Sequence, residues 1–151
     1  MTTYTFAAAV PESIEQVRPR LEAALRDEGF GVLTEIDVAA TLKAKLGLER
    51  PPYLILGACN PRLAYRALEI DPSIGALLPC NVVLRESASL GTIVEILDPG
   101  SALGIAGSPG IAPIAIEAAE RLRRVLDVVI SAAKRDRPFE HSSAPTHPSL
   151  S

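Results

Sequence analysis

The stretch that decides the fold is Tyr53-Leu54-Ile55-Leu56-Gly57-Ala58, which carries no charge and is followed by Cys59 and then by Asn60-Pro61. A continuous apolar run of this length is typical of a strand that is buried on both faces of its sheet. Asparagine suits the N-cap of a helix and proline suits its first turn, so the pattern predicts a helix that ends near Ile70. The centre of the chain is therefore predicted to be a strand that leads directly into a helix.

Upstream of this unit, the hydrophobic spacing predicts two further strand–helix units. They comprise a strand over residues 3–10, a helix capped by Ser13 with Gln16 in a capping box and closed by Gly29, a strand over residues 30–36, and a helix capped by Asp37 that ends at Leu46. Pro19 falls inside the first helix, where it removes a hydrogen-bond donor. We therefore expect a local kink or a late start of that helix.

Downstream, residues 82–86 and 92–97 read as two strands of an antiparallel hairpin, and residues 113–134 read as a long last helix. A glycine-rich loop over residues 98–113 connects them, and the pattern allows an extra short strand near residues 75–78. The element order is then β-α-β-α-β-α-β-β-α. This order predicts an α+β two-layer sandwich, with helices packed on one mixed, largely antiparallel sheet.

Composition limits the class of protein. The chain has 151 residues, 48% of them hydrophobic and 22% charged, with a formal net charge of −3. These values predict one globular domain over residues 1–134 with a flexible Ser/Pro-rich tail over residues 135–151, and they argue against a basic nucleic-acid binder. With no evident signal peptide and no apolar run long enough for a membrane span, we expect a cytoplasmic protein without a membrane partner.

The residues that are missing from the body of the chain restrict its chemistry. The two histidines, His141 and His147, both lie in the predicted tail, so residues 1–134 contain no imidazole for a catalytic triad or a histidine-ligated zinc site. No P-loop is present, and the spacing of Gly100, Gly104, Gly107 and Gly110 departs from the dinucleotide-binding motif. That loop is predicted to be flexible, with anion binding as the less favoured alternative. We assign no catalytic residue and no cofactor.

Two Cys-Asn pairs, Cys59-Asn60 and Cys80-Asn81, stand out because each is adjacent to a proline. Cys59 precedes a predicted helix, where the helix dipole lowers a thiol pKa, and the two thiols converge if their strands are neighbours. Three alternatives remain open: buried structural thiols, a redox or ligand-contacting pair, and a thiolate metal site completed by a carboxylate, a tail histidine or a partner subunit. Asn60 is explained as a helix cap and Asn81 as a turn residue, although the amides could bind a small polar ligand.

Several blocks of the chain together resemble a known family. They are Gly29 to Asp37, Lys45-Leu46-Gly47, Pro52 to Pro61 and Gly75 to Val82, which includes Leu-Leu-Pro-Cys-Asn-Val. Over residues 1 to about 130 the chain resembles the domain of unknown function 302 family of small bacterial and archaeal proteins. The resemblance implies an α+β fold with helices on a curved sheet and a homodimer. It implies no activity, because none is established for the family, but the Cys-Asn blocks are its signature.

We therefore expect a small, homodimeric, non-catalytic protein that binds a small ligand or a metal. The candidate ligand-binding residues are Cys59, Asn60, Cys80, Asn81, Tyr53 and Glu35. A thiol-based redox or detoxification enzyme that uses Cys59 as its nucleophile is the alternative from another class, and Cys-Asn motifs that only support a dimer seam are the third. Strand edges at residues 4–10 or 90–97 would need covering, which also favours a dimer.

Overall fold

A computed structural model describes residues 2–135, with side chains described as far as Ala133. The predicted tail, with His141 and His147, lies outside the described residues except for Arg135. The described chain contains one five-stranded sheet in the order β1-β5-β4-β3-β2. Its strands are β1 (Thr5–Val10), β2 (Gly31–Asp37), β3 (Tyr53–Cys59), β4 (Cys80–Ser87) and β5 (Gly91–Leu97). All four strand pairs are antiparallel.

The helices are α1 (Ile14–Asp27), α2 (Val38–Leu46), α3 (Pro61–Ile70), α4 (Pro99–Leu103) and α5 (Ala112–Arg135). Helices α1 and α5 contact each other and the sheet, and α3 packs against α5. The core lies between these helices and one face of the sheet. Its most buried side chains are those of Val17, Leu21, Leu25, Leu56, Val82, Leu84, Val94, Ile96, Leu122, Val125 and Val129. The predicted α+β sandwich is confirmed, but its sheet is purely antiparallel and not mixed, because no two neighbouring strands among the described residues run in the same direction.

The predicted helix starts are confirmed in detail. Ser13 and Gln16 form the capping box of α1, and the Asp37 side chain accepts a hydrogen bond from the N–H of Ala40 to cap α2. The late start that Pro19 suggested is wrong, since α1 begins at Ile14 and continues through the proline. The capping box satisfies the first free N–H groups, so the loss of one donor within the helix does not move its start.

Two connections differ from the predictions. Residues 75–78 form no strand: a 3₁₀ helix, Pro72–Leu77, occupies this region, because the Asp71 side chain accepts from the N–H of Ser73 and starts a helical turn. The glycine-rich segment contains α4 and a 3₁₀ turn, Gly104–Ala106, where a loop was expected. The side chain of Leu103 is buried and anchors α4 to the core.

The edges of the sheet are β1 and β2. The predicted edge at residues 90–97 is wrong, because β5 lies between β1 and β4 and is paired on both sides. The other predicted edge, residues 4–10, is confirmed, because in the described part of the chain β1 lies at the end of the sheet and pairs with β5 alone.

Among residues 2–135, no helix is both long enough and apolar enough to cross a bilayer.

Candidate functional site

Cys59 and Cys80 come together where two neighbouring strands meet. Cys59 ends β3 and Cys80 begins β4, and Cys80 is the register partner of Ala58, the residue before Cys59. Both cysteines are free thiols and line one cavity of about 30 Å³. The rest of its wall is almost entirely apolar and includes Phe30, Ala58, Leu63, Ala64, Ala67, Leu78, Leu103, Ile114 and Ala118. The two cysteines were expected to converge if their strands are neighbours. Strands β3 and β4 are neighbours, and both cysteines line this cavity.

The surroundings of the two thiols raise their pKa values. Burial raises the pKa of Cys59, and it raises the pKa of the more deeply buried Cys80 to about 11, with a smaller contribution from the charge of Cys59. The sequence had suggested a lowered pKa for Cys59, from the N-terminus of α3. The apolar cavity removes water from the thiol, and this desolvation outweighs the helix dipole. Both thiols are therefore protonated at neutral pH.

Asn60 lies beside this cavity, but both ends of its amide are already bonded to backbone. Its Oδ1 accepts from the N–H of Leu63 at 3.3 Å, which caps α3, and its Nδ2 donates to the carbonyl oxygen of Glu28 at 3.3 Å. The side chain is 8% exposed. Asn60 thus ties the start of α3 to the end of α1.

Asn81 has a different environment from Asn60. It is exposed in β4, one residue after the buried Cys80, so its side chain lies on the other face of the sheet. Its partner across the sheet is Gly57. A Cβ on Gly57 would come within 2.1 Å of Oγ1 of Thr34 and 2.8 Å of Cγ of Pro79, so those two side chains close over this position. The repeated Cys-Asn pattern does not bring the two amides together.

Tyr53 and Glu35 line a separate groove of about 360 Å³. Tyr53 begins β3, at the opposite end of the strand from Cys59, and the guanidinium of Arg50 lies 4.9 Å from its ring centroid. Glu35 forms an ion pair with Arg18 of α1, in which Nη1 donates to Oε1 at 2.8 Å, and this hydrogen bond lowers the Glu35 pKa. The six predicted site residues are thus distributed between the thiol cavity, the opposite face of the sheet and this groove.

Within residues 2–133, no three His, Cys, Asp or Glu side chains are grouped as potential metal ligands. The apolar wall of the thiol cavity, above all Phe30, Leu78 and Leu103, was not predicted from the sequence. No motif marks these residues, because they come from segments far apart in sequence. Their only signal is that each is a large apolar residue next to a predicted turn or element end.

Comparison with known proteins identifies the family. The sequence profile described as "Domain of unknown function DUF302" matches residues 6–129. A solved structure described as an uncharacterized conserved protein DUF302 from Bacillus stearothermophilus is 31% identical, covers 85% of this chain and 99% of its own, and superposes with a TM-score of 0.78. None of the curated proteins compared with the chain matches it. The chain therefore belongs to the family of the domain of unknown function DUF302.

Proposed function

We propose that this protein binds one soft metal ion of the Cu(I) type between the sulfur atoms of Cys59 and Cys80. The observation that carries the proposal is that both free cysteines line the same small cavity and that the charge of Cys59 acts on the pKa of Cys80. Thiolate sulfur is the ligand type that selects Cu(I) and other soft ions. Asn81, Tyr53 and Glu35 lie elsewhere and are not part of the proposed ligand set.

The size of the cavity favours an ion over a metabolite. Its volume of about 30 Å³ exceeds the ~10–15 Å³ that a single water requires, but is far below the ~300 Å³ of a typical small-molecule pocket. A structural zinc site almost always takes four ligands. Since two thiols are the ligands that the described residues bring together here, an ion that accepts two sulfur ligands fits best.

The charge of the bound site determines how binding depends on pH. A monovalent ion with two thiolates carries a net charge of −1, which is costly in an apolar cavity unless it is stabilised. The N-terminus of α3 lies directly after Cys59, and the positive end of its dipole offsets part of this cost. Because both thiols are protonated at neutral pH, binding must release protons, and the apparent affinity should rise with pH by up to about 100-fold per unit.

The test is an anaerobic competition titration of Cu(I) against a chromophoric chelator. We expect one ion per chain, with binding lost in Cys59→Ser and Cys80→Ser. Asn81→Ala is the matched control: it changes the neighbour of Cys80 on the other face of the sheet and should bind like the wild type. Circular dichroism checks that each variant is folded. Equal affinity in the wild type and both cysteine variants would refute the proposal.

The two alternatives receive unequal support. A nucleophilic Cys59 requires a lowered pKa, whereas burial raises it. A structural role fits Asn60, whose amide is bonded to two backbone groups. We accordingly treat Asn60 as a residue that positions Cys59, and not as a ligand. A reducing compartment such as the cytoplasm, where we expect the protein, would keep both thiols reduced.

We also propose that the protein is a homodimer formed through the face of the sheet that α1 and α5 leave uncovered, here called the open face. The side chains on this face include those of Ile36, Ile55, Val83, Arg85, Ile93 and Glu95. Ile36 is 49% exposed, and the Arg85–Glu95 ion pair leaves the patch neutral, so a second copy meets no net repulsion. Five strands at ~4.8 Å spacing and about 20 Å length give ~500 Å² per copy, and two copies reach the ~1,000 Å² that a specific interface needs.

A further inference from the structure

A second, larger cavity lies outside the thiol site and is lined by four arginines. Its volume is about 670 Å³, and Arg26 of α1, Arg62 and Arg66 of α3 and Arg121 of α5 all border it. Asp27 and Glu117 are the acidic residues of its lining. In a chain whose net charge is −3, this is a concave surface with an excess of positive charge.

The arginines differ in what they contact. Arg66 lies 3.5 Å from Glu117, and Arg121 pairs with Glu117 at 3.3 Å and with Glu28 at 3.6 Å. Arg26 and Arg62 are exposed, and neither forms an ion pair or side-chain hydrogen bond with another residue in the described part of the chain. Two guanidinium groups in the lining are therefore free to bind an anion, and two more are held in position beside them.

We infer that this cavity binds a small, multiply charged phosphate compound. All of its cationic side chains are arginines, whose planar guanidinium donates paired hydrogen bonds to phosphate oxygens more specifically than lysine does. A volume of about 670 Å³ is in the range of small-ligand pockets. The N-terminus of α3 also opens here and adds a weaker attraction for negative charge.

The side chains that bind phosphate in this proposal are different from those that bind the proposed metal. The two cavities share Asn60 and Leu63 as wall residues, but the arginines do not line the thiol cavity and the cysteines do not line this one. Phosphate binding is therefore expected in metal-free protein and in the Cys59→Ser/Cys80→Ser variant. Failure of one proposal can be told apart from failure of the other.

The test is isothermal titration of metal-free protein with inorganic pyrophosphate at low salt. We expect saturable 1:1 binding that Arg26→Gln/Arg62→Gln weakens at least about tenfold. Lys43→Gln/Lys45→Gln, which removes two positive charges from the exposed helix α2, is the matched control and should bind as the wild type does. No binding of pyrophosphate, or an equal loss in both double variants, would overturn the inference.

A phosphate group could also belong to a lipid headgroup, so a second arm measures sedimentation with vesicles of phosphatidylcholine and phosphatidic acid. The small-ligand inference predicts that pyrophosphate binds and that the protein stays in the supernatant. The opposite result would be that the protein does not bind pyrophosphate, sediments with these vesicles, and no longer sediments when Arg26→Gln/Arg62→Gln is introduced. That result would overturn the small-ligand inference and indicate that the arginines recognise a membrane surface.

Discussion

At the scale of single residues, Asn60 and Asn81 show how one motif acquires two roles. Both follow a cysteine, yet Asn60 is buried and bonded to two backbone groups, whereas Asn81 is exposed. The sequence predicts the cap at Asn60, because an Asn-Pro pair before a helical pattern is a local signal. It could not predict the bond to Glu28, which depends on how α1 and α3 pack.

The two asparagines provide a paired test of stability. We expect Asn60→Ala to lower the free energy of unfolding by about 1–2 kcal/mol, since it removes a helix cap and leaves a buried N–H without its partner. Asn81→Ala should change it by less than about 0.5 kcal/mol. Urea denaturation of both variants measures the difference, and equal losses would contradict the structural role of Asn60.

The raised pKa of Cys80 predicts a loss of stability in alkali. In the folded protein, Cys80 keeps its proton until the pH approaches its pKa of about 11, whereas the thiol of the unfolded chain loses its proton near pH 9.0. The stabilisation of the folded state by this proton is therefore complete below pH 9 and is lost as the pH rises towards 11. Between pH 8 and 11, the free energy of unfolding should fall by about 2–3 kcal/mol more in the wild type than in Cys80→Ala. Parallel pH dependence of unfolding in the two proteins would show that the thiol is not desolvated.

At the scale of elements, local signals predicted most boundaries. The capping box of α1, the Asp37 cap and the apolar run of β3 each carry their information within a few residues, and all three elements are confirmed. The short helix α4 and the 3₁₀ helix Pro72–Leu77 were missed, because Leu103 and Ile74 hold them through burial against distant residues. Burial of this kind leaves no periodic pattern in a short segment.

The β4–β5 hairpin depends on a glycine, Gly91, at the start of β5. Gly91 has a φ of 85°, and a Cβ there would lie 2.4 Å from the carbonyl oxygen of Val10. We expect Gly91→Ala to destabilise the protein by about 2–3 kcal/mol, from backbone strain and this collision. Gly31→Ala, with no atom within 4 Å of its Cβ, is the control and should cost no stability. Similar thermal midpoints for the two variants would contradict the geometry at Gly91.

At the scale of the whole molecule, helices cover one face of the sheet and leave the other partly exposed. The sequence predicted the two layers but not the strand order, since pairing between β1 and β5 joins segments about 90 residues apart. For the same reason it could not place the candidate site residues. Cys59 and Cys80 converge because β3 and β4 are neighbours, while Tyr53 is separated from them by the length of β3.

The proposed dimer can be tested by measuring the molar mass of the wild type and of variants of the open face. Light scattering at micromolar concentration should give twice the chain mass of 16.0 kDa for the wild type. Val83→Lys places a charge in the centre of the open face and should give monomers. Ile105→Lys, at a side chain that is 77% exposed on the 3₁₀ turn Gly104–Ala106, should remain dimeric. A monomeric wild type would remove the proposal.

The metal site is the central claim, and its most direct test is X-ray absorption at the copper edge of the 1:1 Cu(I) complex prepared anaerobically. We predict a first shell of two sulfur atoms per copper in the wild type, unchanged in Asn81→Ala and disrupted in Cys59→Ser and Cys80→Ser. A first shell of nitrogen and oxygen atoms alone, or a sulfur shell that survives substitution of both cysteines, would contradict the assignment.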